Sequence, residues 1–344
     1  MPVGTAASPV ASFREQPLTR PTTAATASSE RAIEKTDLGT SPKYSGKKLG
    51  IALIAIVTLM AGHPVTAPMV PEFPGKAGLY AGRYISHDFL VDDVPVTVVS
   101  PPSPRQTPGG YPWIWRAEFL GAFDGADRAL LDAGWYLVYV SVPNRYGDPV
   151  AMQAWERAHA ALTKTYGFMP RAGLFGFSRG ALYAMSWAAA HPEFTLAIYL
   201  DNGVCDMRSW PGGRLQNLGQ GQGGAKEWTE MLQVWHIAPG DADAVLKASP
   251  VSKLEAPAHA TIPLLLVYGD SDHVVPAAEN SEIVLRKYTV LGGPVQQIVK
   301  KGGDHHPHGL DDVVPGGVMP VVTFFETSLA RVSAGTGLQS IAPQ

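Results

Sequence analysis

The chain of 344 residues holds a single cysteine, Cys205. One thiol cannot close an intramolecular disulfide, and it excludes metal sites built from several thiolates. A surplus of one charge is also missing. The formal net charge is −3, and no long run of Lys or Arg occurs in the body of the chain. No electrostatic footprint for a polyanion results, so nucleic acid is not an expected partner. HExxH is absent, and no metal or other cofactor is expected. Gly219 to Gly224 satisfies GxGxxG in letters, but no strand delivers it and no acidic residue follows at the required distance, which excludes a dinucleotide site. No internal repeat is visible. Apolar matter is not scarce: a hydrophobic content of 45% is ample for the core of one large α/β domain or two small ones.

Long apolar runs are few. Leu49 to Gly62 is too short to span a bilayer comfortably. It follows Lys47 and Lys48 and precedes the small residues Val65-Thr66-Ala67. Charge, apolar run and small-residue site in that order are the pattern of a secretory signal peptide, with cleavage expected near Ala67. Residues 1–48 are rich in Ala, Thr, Ser and Pro, a disordered composition. Residues 1–67 therefore read as a disordered leader plus signal peptide, and export to the periplasm or the extracellular space is expected, with no stable membrane span after processing. The alternative is a membrane anchor retained at residues 49–62.

From Gly75 the chain alternates strand-like and helix-like segments with short connections, the pattern of a mostly parallel sheet flanked by helices. Strands are expected at His87–Val91, Val94–Ser100, Tyr111–Arg116, Trp135–Val142, Thr195–Leu200, Ile262–Tyr268 and Val295–Val299. Helices are expected at Ala122–Ala133, Pro149–Tyr166, Ala277–Tyr288 and Val318–Leu329. One domain over 75–335 suffices, followed by a flexible tail at 336–344. Regular alternation stops at about 202–260, between the sixth and seventh expected strands. An insertion there is expected to cap a site, because loops at the carboxyl ends of parallel strands carry ligand contacts.

The motif Gly176-Phe177-Ser178-Arg179-Gly180 joins the apolar run Ala172–Phe175 to the helix-like Ala181–Ala190. Strand, sharp turn and helix in that order are the context a nucleophile elbow requires, with small residues where a Cβ would collide and the serine hydroxyl turned outward. A serine hydroxyl needs an imidazole to take its proton and a carboxylate to orient that imidazole. Gly269-Asp270-Ser271-Asp272-His273-Val274-Val275-Pro276 follows one expected strand, and Gly302-Gly303-Asp304-His305-His306-Pro307-His308 follows the last.

On these motifs the chain resembles the α/β-hydrolase family from about His87 to Leu329. The resemblance implies an α/β-hydrolase fold with Ser178 as nucleophile, Asp272 as acid and His305 as base. Asp270 reads as a turn residue, His306 and His308 stand beside the base, and Asp201 and Asp206 are alternative acids. Oxyanion donors are expected from the backbone N–H of Arg179 and from the turn after Tyr111–Arg116, with Glu118 the candidate. The family commonly has His-Gly in that turn, where this chain has Arg116-Ala117-Glu118-Phe119. Arg116 and Glu118 could pair with each other or with Arg179.

Trp210, in a loop, and Arg116 are the expected substrate contacts, while Trp113 and Trp115 on a strand read as core. The stretch Val204-Cys205-Asp206-x-x-Ser209-Trp210-Pro211-Gly212-Gly213 is similar to that of exported bacterial hydrolases. The resemblance implies a carboxylic-ester hydrolase acting on a small-molecule, carbohydrate-linked (glycan) or aromatic ester. A peptidase, lactonase or acyltransferase on the same triad, or a silent ligand-binding protein, are the alternatives.

Overall fold

A computed structural model describes residues 70–311 and 316–334. The expected leader, the apolar run at 49–62, the cleavage position and the tail lie outside the described residues. Among the described residues, no helix is long and apolar enough to cross a membrane.

Among the described residues nine strands form one sheet: β1 (Lys76–Tyr80), β2 (Tyr84–Val91), β3 (Val94–Val99), β4 (Trp113–Arg116), β5 (Tyr136–Val140), β6 (Ala172–Phe177), β7 (Thr195–Asp201), β8 (Leu264–Gly269) and β9 (Val295–Lys300), in the spatial order β1-β2-β3-β5-β4-β6-β7-β8-β9. The first three strands pair antiparallel with one another and β3 pairs antiparallel with β5, while every pairing from β5 to β9 is parallel. β1 was not expected. Its sequence Lys-Ala-Gly-Leu-Tyr has no β-branched residue, and all but its last residue are exposed, so an edge strand held by pairing alone shows no burial pattern to read. Counting it places the irregular 202–260 segment between the seventh and eighth strands.

The helices that frame the sheet are α1 (Gly125–Asp132), α2 (Pro149–Thr165), α3 (Gly180–Ala190), α7 (Ser281–Val290) and α8 (Met319–Ser333), with α4 (Ala225–Val234), α5 (Ala242–Ala248) and α6 (Glu255–His259) between β7 and β8. β6 and β7 are buried at every position, as strands covered on both faces must be. Two glycines of β6 show both covers. A Cβ on Gly173 would lie 2.6 Å from the Phe325 ring of α8, and one on Gly176 would lie 2.7 Å from the Ala181 Cα of α3. α3 is buried over Gly180–Ala188, which is why its sequence is apolar all round rather than striped.

α2 begins where the sequence says it should. Asp148 accepts from the Ala151 N–H at 2.9 Å and Pro149 takes the first helical position, which satisfies one orphan amide and uses a residue that has none to lose. Trp113 and Trp115 are fully buried in the core, with Trp115 stacked on Trp155 of α2 at 4.1 Å. From β4 the chain passes to β5 on one side, and from β5 it crosses back over β4 to β6. The carboxyl ends of β4 and β6 therefore flank a switch point, where their loops splay apart and leave a crevice.

Candidate active site

β6 ends at Phe177, and Ser178 has φ +47°, a left-handed conformation that costs a residue with a Cβ on the order of 1–2 kcal/mol. Three backbone bonds hold it there. Its N–H donates to Asp201 O at 3.0 Å, and its carbonyl accepts from Ala181 at 3.1 Å and Val204 at 2.9 Å. Gly176 leaves room for α3, and Gly180 brings α3 to the Glu118 backbone, since a Cβ at Gly180 would lie 3.3 Å from Glu118 Cβ and 3.5 Å from its N. The serine thus stands at the start of a buried helix, whose free N–H groups make the site locally positive.

The loop after β9 brings His305 to this serine. His305 Nε2 lies 3.0 Å from Ser178 Oγ, and its Nδ1 lies 2.8 Å from Asp272 Oδ2. Asp272 is itself anchored, its Oδ1 accepting from Val274 N at 2.9 Å and Val275 N at 2.8 Å. The side chains of His305 and Asp272 are buried. With its Nδ1 proton donated to Asp272, the imidazole presents an Nε2 lone pair to the serine hydroxyl, the tautomer proton abstraction needs. Asp270 is exposed and accepts from the Gly302 N–H at 2.7 Å, so it stitches two turns together.

Sequence reasoning missed Asn202. It follows β7 with φ +44°; its Nδ2 donates to His305 O at 2.7 Å and to Asp304 O at 3.2 Å, and its Oδ1 accepts from Gly269 N at 2.8 Å. An Asn before a Gly at a strand end is a turn signal, and nothing local shows that its amide reaches a loop more than a hundred residues away. Asp304 adds a second clamp, accepting from the His305 N–H at 2.7 Å.

Around the expected oxyanion donors the geometry is mixed. The Ala117 N–H continues the sheet ladder to Phe175 O at 3.0 Å, and the nitrogen of the next amide, that of Glu118, lies beside Gly180 of the elbow. The Glu118 carboxylate pairs with Arg179 at 3.3 Å. Burial pushes the Glu118 carboxyl up, against the pull of Arg179. The Arg179 guanidinium lies 5.5 Å from the Phe119 ring and 5.9 Å from the Tyr146 ring. Tyr146 also bonds Glu230 of α4 at 3.0 Å and lies 6.5 Å from the Trp210 ring, so the 202–260 segment meets the elbow's arginine through this tyrosine.

Arg116 is not a substrate contact. It is fully buried, pairs with buried Asp127 at 2.8 Å, donates to the carbonyls of Glu118, Phe119 and Ala122, and lies 4.0 Å from the Phe177 ring. Every direction of its fork is occupied by the protein, and it shapes the loop after β4 from beneath. Burial raises the Asp127 carboxyl to about 6 in spite of Arg116.

The alternative acids are engaged elsewhere. Asp206 pairs with Arg208 at 2.7 Å. Asp201 is fully buried and accepts from Lys300 at 2.9 Å, His308 Nδ1 at 2.9 Å, Tyr199 at 3.0 Å and the Gly309 N–H at 3.1 Å. Burial alone would raise its pKa, but His308 and Lys300 carry it below the ordinary carboxylate value. This network lies under the His305 loop and ties it to the end of β7. His306 is exposed.

Residues 139–327, more than half of the chain, match the sequence profile of the prolyl oligopeptidase family. Comparison with functionally curated proteins finds no match. Among solved structures, a Mycobacterium tuberculosis puromycin-hydrolyzing peptidase is similar over 76% of this chain and 41% of its own, with 17% identity and a TM-score of 0.55. A Pyrococcus horikoshii acylaminoacyl peptidase is similar over 76% and 43%, with 15% identity and a TM-score of 0.53. The similar region thus spans about two fifths of the length of these relatives, and at such identities the likeness is one of fold. With an α/β-hydrolase sheet and a serine elbow inside the matched region, the chain belongs to the prolyl oligopeptidase family of serine hydrolases.

Proposed function

We propose that the protein cleaves acyl bonds through an acyl-enzyme formed on Ser178. The observation that carries the reading is the continuous path from Asp272 Oδ2 to His305 Nδ1, and from His305 Nε2 to Ser178 Oγ, at 2.8 and 3.0 Å. In this reading Oγ attacks the carbonyl carbon as Nε2 takes its proton, and the resulting imidazolium, stabilised by Asp272, returns the proton to the leaving group. Water then repeats the sequence and releases the acid. The N–H groups of Arg179 and Glu118 receive the oxyanion.

The leaving group is an amine in the reading favoured here. The ester expected from the sequence uses the same steps, but family membership and the peptidase relatives support amide cleavage more strongly. Short peptides or aminoacyl amides are the substrates of this reading, with exposed Phe119 and part-exposed Arg179 beside the elbow. The test is a panel of aminoacyl and peptidyl p-nitroanilides beside p-nitrophenyl esters, on wild type and Ser178→Ala, with labelling by a fluorophosphonate. Labelling of wild type, turnover of at least one anilide and loss of both in Ser178→Ala are expected, with kcat falling by at least about 10³-fold. Turnover of esters alone would return the reading to an esterase. Folded wild type that neither labels nor turns over any substrate would overturn it.

A further inference from the structure

The loop after β9 carries three imidazoles, of which the proposed reaction uses one. One ring nitrogen from each of His305, His306 and His308 lies within 4.8 Å of the others. The rings stand edge to face, with centroids 4.9, 4.9 and 4.8 Å apart. Two of them are held as a metal protein holds its ligands: His305 Nδ1 faces Asp272 at 2.8 Å and His308 Nδ1 faces Asp201 at 2.9 Å. A carboxylate on one ring nitrogen keeps the proton there, orients the ring and leaves the other nitrogen as a more basic lone pair. His306 is exposed, so its side chain can turn to supply a third nitrogen.

We propose that His305, His306 and His308 form an inhibitory site for a divalent ion of the zinc class. Tetrahedral zinc takes nitrogens at about 2.0–2.1 Å, which places them roughly 3.4 Å from one another; rotation of His306 and a small closure of the loop provide this. Ser178 Oγ, 3.0 Å from His305 Nε2, or water fills the fourth position. The ion takes the Nε2 lone pair that would receive the serine proton. Both rings stay neutral and keep their Nδ1 protons on Asp272 and Asp201, so no proton is released from them and removal of the ion restores the base.

Occupancy of the site is independent of the proposed function, whereas inhibition rests on it, and the experiment reads the two separately. The full chain, stripped with chelator and dialysed, is titrated with zinc chloride while metal uptake is followed by competition with a chromogenic zinc indicator and hydrolysis is assayed in parallel. Uptake of one zinc per chain is expected, with inhibition tracking occupancy and reversal by EDTA. His306→Ala should keep its zinc-free turnover and shift both midpoints upward by at least about tenfold. Ser178→Ala, without turnover, should still take up zinc. If wild type binds zinc through His306 but hydrolyses nothing, the site stands and the acyl-transfer reading falls. Absence of uptake by wild type, or midpoints unmoved by His306→Ala, would overturn the metal site.

Discussion

Asn202 ties the carbonyl of His305 to the end of β8 with one side-chain amide, and it does so from a left-handed backbone that glycine also tolerates. Replacing it by glycine therefore removes the three side-chain bonds to Asp304, His305 and Gly269 while leaving the turn unstrained. Asn202→Gly is expected to lower kcat by about 10²-fold with little change in KM, because a base displaced by about an ångström loses its alignment while the binding surface stays in place. Steady-state kinetics on the anilide panel would read this, and an unchanged kcat would show that the loop holds His305 without the amide. At this scale the sequence was legible where chemistry and local turn coincide. Ser178, Asp272 and His305 each sit in a motif of their own, and the structure brings them within hydrogen-bond distance. Arg116 was misread for the opposite reason: its charge suggested solvent or substrate, whereas its partner Asp127 lies on a helix whose face the sequence could not assign.

Among elements, the turn from β6 into α3 depends most on close approach. Gly176 faces the Ala181 backbone at a distance no Cβ allows, and backbone cannot yield as a flexible side chain can. Gly176→Ala should destabilise the fold by about 1–3 kcal/mol and reduce fluorophosphonate labelling of the protein that remains folded, since relief of the clash moves the elbow. Chemical denaturation together with labelling rate would test both effects; wild-type values for each would mean that α3 can shift without cost. The elbow was readable because strand, turn and helix follow one another directly. β1 was not, because an exposed edge strand carries no burial period. The stretch between β7 and β8 showed its irregularity in sequence, but its approach to Arg179 through Tyr146 depends on contacts between segments distant in the chain.

For the whole molecule, buried titratable groups couple stability to pH. His159, on the buried face of α2, packs against the segment after α3, with Nε2 2.7 Å from Pro170 O and its ring 4.6 Å from Phe194. Burial lowers its pKa below the ordinary 6.5, the Pro170 bond opposing that shift. An imidazole whose folded pKa is depressed contributes full stability above the unfolded value, and that contribution is lost as pH falls below it, because the unfolded chain then binds the proton more readily. Asp127, raised to about 6, acts in the opposite sense and favours the folded state as pH falls toward 4. A variant isolates the histidine. His159→Gln keeps an amide donor for Pro170, and the stability gap between wild type and variant should narrow from pH 7.5 to pH 5. Urea midpoints at the two values would measure it, and a constant gap would show that His159 does not titrate with unfolding.

The sequence by itself determined the alternation of strands and helices, the elbow and the order of serine, acid and histidine, because each is written in contiguous residues whose spacing obeys local steric rules. Tertiary structure alone decided that Asp201 is spent on Lys300 and His308, that Arg116 is buried against Asp127, and that the Asn202 amide holds the His305 loop. These depend on the order in which nine strands lie side by side, which sets the neighbours of each loop and cannot be read from the spacing of residues along the chain.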